Sequence, residues 1–441
     1  MRNLFKKLWN DERGNALIML GAALPMLVGA AGLASDTIQW TLWKRQLQRA
    51  ADSGAIAGVY TRIKSDTQDA VLASVNTDLT KNHHTGIALA SGYPQVERPA
   101  DDGDKKKQVK VTLEISEALP FSSMFMNATP KIGAVPTAAT VPGADEFCII
   151  ALDKSVSAVG IEVSGSAVVD IGTCSMMANA KHPTKAASDG ANSGNGGKGG
   201  TVVAKSVAAA GGVQYSSTWN VNDYDPNSPE IADPHAGVPA PKSSDCTKTI
   251  NGGFDKKQDY PIDRTSEDSP GDVVCITGDV TVQGSFKLAS GVTYVLNGGD
   301  LTMNSSSSSM SCTNCTIAMT DFSDPKNTGS IKLTGGDLSL TAPTTGTYKG
   351  IVLYQDRGAS DDGGKGANQI NGNSNGAITG VIYIPNQSVL YNGGAGTSAA
   401  CLQLVGKRVE FSGNSYMKVA SACPGTGMTP TSGGTRVRLV A

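Results

Sequence analysis

Apolar and polar positions fall into three successive patterns along the chain. From Ala16 to Ala34 there are 19 residues without a charge, ALIMLGAALPMLVGAAGLA. At 1.5 Å rise per residue a helix of that length covers roughly 28 Å, close to the hydrocarbon thickness of a bilayer. This run predicts a transmembrane helix over 16–35, kinked rather than broken at Pro25. From Trp40 onward the spacing changes: Trp40, Trp43, Leu47, Ala50, Ala51, Gly54, Ala57 and Gly58 recur every three or four residues, while Lys44, Arg45, Gln48, Arg49 and Asp52 fall largely elsewhere. The helix is expected to continue past the membrane as an amphipathic one with a narrow small-residue stripe. Two partners suit that stripe: another helix in or near the membrane, or the chain's own domain.

The next segment, through Pro142, combines a helix-compatible stretch at Asp66 to Thr80 with the alternating run Val109-Lys110-Val111-Thr112-Leu113-Glu114-Ile115, the pattern of a half-buried strand. It predicts a small α+β domain, with a hairpin tip at Asp101 to Lys107 and a linker marked by Pro130, Pro136 and Pro142. Beyond it the chain consists of short alternating phrases entered through Gly, Asn or Asp. Examples are VSGSAVVDIG (163–172), ITGDVTVQGSFKL (276–288), GGDLTM (298–303), GGDLSL (335–340), GVIYIPN (380–386) and VEFSGNSYMKV (409–419). Irregular recurrence of this kind predicts a right-handed parallel β-helix-like domain over 143–441, with an antiparallel β-sandwich as the alternative. Two stretches, Ser188 to Gly200 and Asp223 to Pro241, read as long loops or linkers within it. The fold class is thus α+β with a large β-rich part, divided as 1–15, 16–35, 36–142 and 143–441.

Charge sets the topology of the span. Arg2, Lys6, Lys7 and Arg13 precede it, and Ser35 and Asp36 follow, so residues 1–15 are expected as a cytoplasmic tail and the bulk as periplasmic or extracellular. A cleaved secretory signal is the competing reading, although this apolar run exceeds the usual length of such a core. Charged residues make up only 17% of the chain and aromatic ones 5%, with 52 glycines, which favours short strands and tight turns. A net charge of −2 argues against nucleic acid as a partner. All eight cysteines (Cys148, Cys174, Cys246, Cys275, Cys312, Cys315, Cys401 and Cys423) follow the span, so disulfides are expected. Chain order suggests 148 with 174, 246 with 275, 312 with 315 and 401 with 423, among on the order of a hundred connectivities. Cys312-Thr-Asn-Cys315 would also suit half a zinc site or a redox pair, but no second such element accompanies it.

Arg13-Gly14-Asn15, the apolar run, Asp36, and the element Leu47-Gln48 with Ala50-Ala51-Asp52 and Ala55 to Gly58 together resemble the N-terminal segment of TadG-like proteins of the bacterial tight-adherence (Tad/Flp) pilus system. Related minor pilins are cleaved after a glycine like Gly14 when a Glu lies five residues on. Met19 stands there, which favours retention of the anchor. The central passage Cys148 to Asp153, Val163 to Ala167 and Cys174 to Asn179 is also similar to TadG-like proteins. The resemblance implies other pilus-assembly proteins and the membrane as partners.

Candidate chemistry is sparse. Asp153-x-Ser155-x-Ser157 after an apolar strand has the form of a von Willebrand A metal loop, but the following AVGIEVSGSAVVD lacks the required helical pattern, so a simple turn is expected. Asp356, Arg357, Asp361 and Asp362 would be the residues of a polysaccharide hydrolase or lyase, a class that needs two carboxylates held at a defined separation; they read better as solvated loop charges. His83, His84, His182 and His235 form no ligand or triad pattern, and no cofactor is implied. The expected function is a non-enzymatic, membrane-anchored component of pilus assembly that contributes to adherence. The alternatives are an envelope adhesin that binds surface glycans and a secreted polysaccharide-active enzyme.

Overall fold

The computed structural model describes residues 13–81, 88–126, 129–143, 146–172, 174–190, 200–254, 261–371, 377–392, 396–399, 401–413, 416–419, 423, 425–429, 431–432 and 435–440. The basic tail through residue 12, His83 and His84, and positions 191–199 of the Gly/Ser/Asn stretch lie outside these. Two compact units are present, one formed by Met1–Pro142 with Arg436–Ala441, the other by Gly143–Thr435. Residues 436–441, expected in the β-rich half, thus return to the first unit.

In the first unit, α1 (Arg13–Lys64) runs unbroken through Pro25, and α2 (Gln68–Lys81) folds back on it. The sheet consists of β1 (Gln95–Glu97), β2 (Lys106–Ser116), β3 (Lys131–Ala134) and β4 (Thr137–Pro142), extended by the C-terminal strand Thr435–Leu439. β2 alternates as expected, burying Val109, Val111, Leu113 and Ile115. The turn before it is closed by an antiparallel bridge between Asp102 and Lys105. The expected proline-marked linker is instead strand. Pro130 and Pro136 sit just outside β3 and β4, where a missing N–H costs no ladder bond, and the Pro136 carbonyl accepts from the Val111 N–H at 3.1 Å.

The small residues of α1 are required by this sheet. Leu47, Ala50, Ala51, Ala55 and Val59 are buried with Val71 and Val75 of α2 and the apolar face of β2. Gly58 is the tightest point against the sheet: a Cβ there would lie 2.7 Å from Val109 Cγ1.

The second unit is built on parallel pairing; only Thr431–Ser432 with Glu146–Phe147 is antiparallel among its described pairs. That departs from the sandwich alternative, whose sheets are antiparallel. One ladder runs in register through Thr249, Cys275, Val295, Ala318, Tyr354, Tyr383, Val405, Ile150, Met177 and Ala208. Ala208 pairs onward with Asp225, so at about 4.8 Å per step the ladder is about 48 Å long. Its order is not chain order: the first strand of the unit, Glu146–Ala151, stacks on the late strand Leu402–Ser412. The chain must therefore cross from the Ala208 end back to the Thr249 end, and residues 226–247 do so. Ile231 exchanges hydrogen bonds with the Asn179 side chain, Asp233 accepts from the Tyr383 hydroxyl at 2.6 Å, and the carbonyls of His235 and Val238 accept from Arg357 at 2.6 and 3.0 Å. Pro239 accepts from Tyr348, and Cys246 is bonded to Cys275. The stretch expected as a slack linker is a strap laid along the sheet.

Alternate ladder residues face two apolar layers. Ile149, Met176, Ile276, Leu296, Ile317, Leu404 and others fill the interior. Ile150, Met177, Val295, Ala318, Tyr354, Tyr383 and Val405 pack outward with Ile231 and Val238 of the strap. Cys148 pairs with Cys174, Cys246 with Cys275, Cys312 with Cys315 and Cys401 with Cys423.

Two outcomes follow. Gly58→Leu should destabilise the first unit by about 1–3 kcal/mol through overpacking, read as faster hydrogen exchange of the β2 amides; unchanged exchange would contradict the close approach. Within the strap, burial pushes the His235 imidazole below its usual range and the charge of Arg357 adds to this, against the Gln403 and Asp233 contacts. A depressed folded value gives stability that is complete above the unfolded value, about 6.5, and is lost as pH falls through the folded one. The melting temperature should therefore fall between about pH 7 and pH 5, and His235→Gln should flatten that dependence. An equal slope in both proteins would count against it.

Candidate membrane and assembly site

The apolar run lies within α1, and its side chains are uncovered: Met19, Leu20, Leu24, Met26, Leu27, Val28 and Leu33 are all exposed. Only 6% of the most apolar window is buried, against the full burial of a core helix. By length and composition this helix can cross a membrane.

The structure separates the eight stripe residues. Leu47, Ala50, Ala51, Gly54 and Gly58 are buried inside their own unit, and Trp43 and Ala57 are half-buried, Trp43 against the same core. Trp40 is exposed at 43%. The partner-helix reading of the stripe is corrected accordingly: its small side chains admit α2 and β2, and they present no free face to a second helix. The uncovered surface lies earlier in α1, along 19–38.

Asp36, just beyond the run, is buried although carboxylates seldom are. Its oxygens accept from the backbone N–H groups of Phe121 and Ser122, at 2.9 and 2.5 Å, and from the Ser122 hydroxyl. Sequence reasoning marked Asp36 but missed its partner, because the contact joins residues 85 positions apart.

The candidate chemical groups of the second unit are held in structural contacts. Asp153 Oδ1 accepts from the Ser155 N–H and hydroxyl, its other oxygen pairs with Arg408 at 2.5 Å, and the next element is the strand Ile161–Val163, as a turn requires. Asp356 accepts from Thr320 and Gly358. Burial alone would raise the Asp361 carboxyl, but Lys407 and Arg408 draw it down to about 2. Asp362 accepts from Ser388 and Ala367, and Arg357 spans the strap carbonyls and Tyr383. His182 accepts from the Thr184 and Lys185 amides at its own turn. A carboxylate pair that the sequence did not single out, Glu162 and Glu410, lies in register on adjacent strands. Burial raises both, and mutual repulsion adds to Glu410. Among the described residues no group of three His, Cys, Asp or Glu side chains is placed to hold a metal ion.

Residues 14–61 match the Tad family, described as Flp pilus-assembly TadE/G-like. No curated protein and no solved structure matches the chain. The matched segment is nearly coextensive with α1, combining the uncovered apolar run, Asp36 and the small-residue stripe. Over this segment, and this segment alone, the chain is similar to TadE/G-like proteins of Flp pilus assembly.

Proposed function

We propose that this protein is a membrane-anchored structural component of Tad/Flp pilus assembly, with its β-rich unit on the non-cytoplasmic side and a contribution to adherence. The observation that carries the reading is that residues 14–61, which match the pilus-assembly family, contain an apolar helix whose large side chains from Met19 to Leu33 lie exposed among the described residues. The Lys and Arg residues ahead of the span support a cytoplasmic N-terminus, and four disulfides suit an oxidising compartment. A structural rather than enzymatic role is supported by the commitment of Asp153, Asp356, Arg357, Asp361 and Asp362 to internal contacts. We read the second unit as a parallel β-helix. Three parallel ladders support this, passing through Tyr354 and Tyr383, through Tyr391 and Phe411, and through Phe286 and Met310, and right-handedness follows the general preference of parallel crossovers.

Leu24 and Leu27 lie near the middle of the span, where each arginine costs about 2.5–3.5 kcal/mol of insertion. The double variant Leu24→Arg, Leu27→Arg should leave the carbonate-resistant membrane fraction and abolish pili in a strain whose only copy it is, scored by electron microscopy. Normal piliation with a soluble variant would overturn the anchored-assembly reading.

A further inference from the structure

We propose that the loop 119–126 is a second membrane contact, an apolar wedge that enters the lipid interface beside the span; this rests on the anchoring reading above. The loop connects β2 to β3 and reads Leu-Pro-Phe-Ser-Ser-Met-Phe-Met. Its Met124, Phe125 and Met126 are exposed at 77%, 74% and 50%, although no burial within the unit accounts for three large apolar side chains in succession. Such a cluster needs a cover, and its position says which one.

β2 runs antiparallel to α1. Val109 lies against Gly58 and Val111 against Gly54, so the strand travels back along the helix toward the apolar run. The loop that follows reaches Gly32, where a Cβ would fall 2.3 Å from the Phe121 ring. From Gly58 to Gly32 the helix axis covers about 39 Å, so the strand and loop return the chain to the last turn of the span. Gly32 lies about 3 Å inside the final residue of the apolar run, Ala34, and Asp36 about 3 Å beyond it. The loop is fixed at that depth by two N–H groups and a hydroxyl on Asp36. Polar contacts pin its inner side; the Phe125 ring packs on that of Phe121, 5.3 Å between centroids, and both it and Met124 keep most of their surface exposed.

A bilayer fits this placement because the loop is continuous with the uncovered surface of the helix it is pinned to. Aromatic side chains favour the interfacial depth, and Trp40 stands about one turn past Asp36 on the same helix. Asp36 is thereby a positioning residue: its carboxylate holds backbone donors that would otherwise face the membrane boundary unpaired.

The test is site-specific photocrosslinking in the full chain in native membranes, with benzoylphenylalanine placed singly at Phe125, at Leu27 in the span, and at Val156, an exposed apolar position in the second unit. The expected result is phospholipid adduct at 125 and 27 and none at 156. Adduct at 27 with only protein adduct, or none, at 125 would overturn the wedge while leaving the anchor standing. Absence of lipid adduct at 27 would remove the anchor and the wedge with it.

Discussion

The second unit depends on one constraint: its ladder strands are apolar on both faces. Thr316–Thr320 and Ile351–Gln355 are buried at every position, so the side turned away from the interior needs a cover as much as the side turned toward it. The strap supplies that cover. It delivers Ile231 and Val238 to the outer layer and spends its backbone carbonyls on Arg357 and Tyr348. The same crossing lets the first strand of the unit stack on a late one, so cover and closure are achieved by a single stretch of chain. At the two ends of the ladder the strands turn polar: Lys248–Asn251 carries Lys and Asn, and Trp219–Asp225 carries two Asn and two Asp. Charged and amide side chains at unpaired edges discourage further strand addition.

In the first unit, one helix carries two kinds of surface. Residues 19–38 leave large apolar side chains uncovered, whereas residues 47–59 bury small ones against a sheet. The division falls near Asp36 and Trp40, where a buried carboxylate and an exposed indole mark the change. The family segment spans both parts, the uncovered apolar run and the small-residue stripe packed on the sheet.

Local patterns were legible in the sequence. A charge-free run of the right length, the alternation of 109–115 and the turn at 101–107 each depend on neighbours within a few residues. Long-range partnerships were not. The stripe at Leu47 to Gly58 satisfies a foreign helix and a domestic sheet equally, because both reward a surface without bulk. Pro130 and Pro136 signalled a linker since proline ends strands as readily as it separates domains. The strap looked like slack chain because its hydrogen bonds go to side chains on distant rungs, a pattern with no period. Asp36 was visible as an acid after a span, and only the fold shows the backbone amides it serves.

The strand Thr435–Leu439 belongs to the sheet of the first unit, although the whole second unit separates it from β4 in sequence. The β-rich unit is thus an insertion within the first unit, entered near Gly143 and left near Thr435, with entry and exit held side by side by the antiparallel pairing of Glu146–Phe147 and Thr431–Ser432. During synthesis the edge of the first unit's sheet stays open until the inserted unit has left the ribosome. In evolution the same arrangement lets the insert lengthen, shorten or change its surface while the two junctions, and so the first unit, remain as they are.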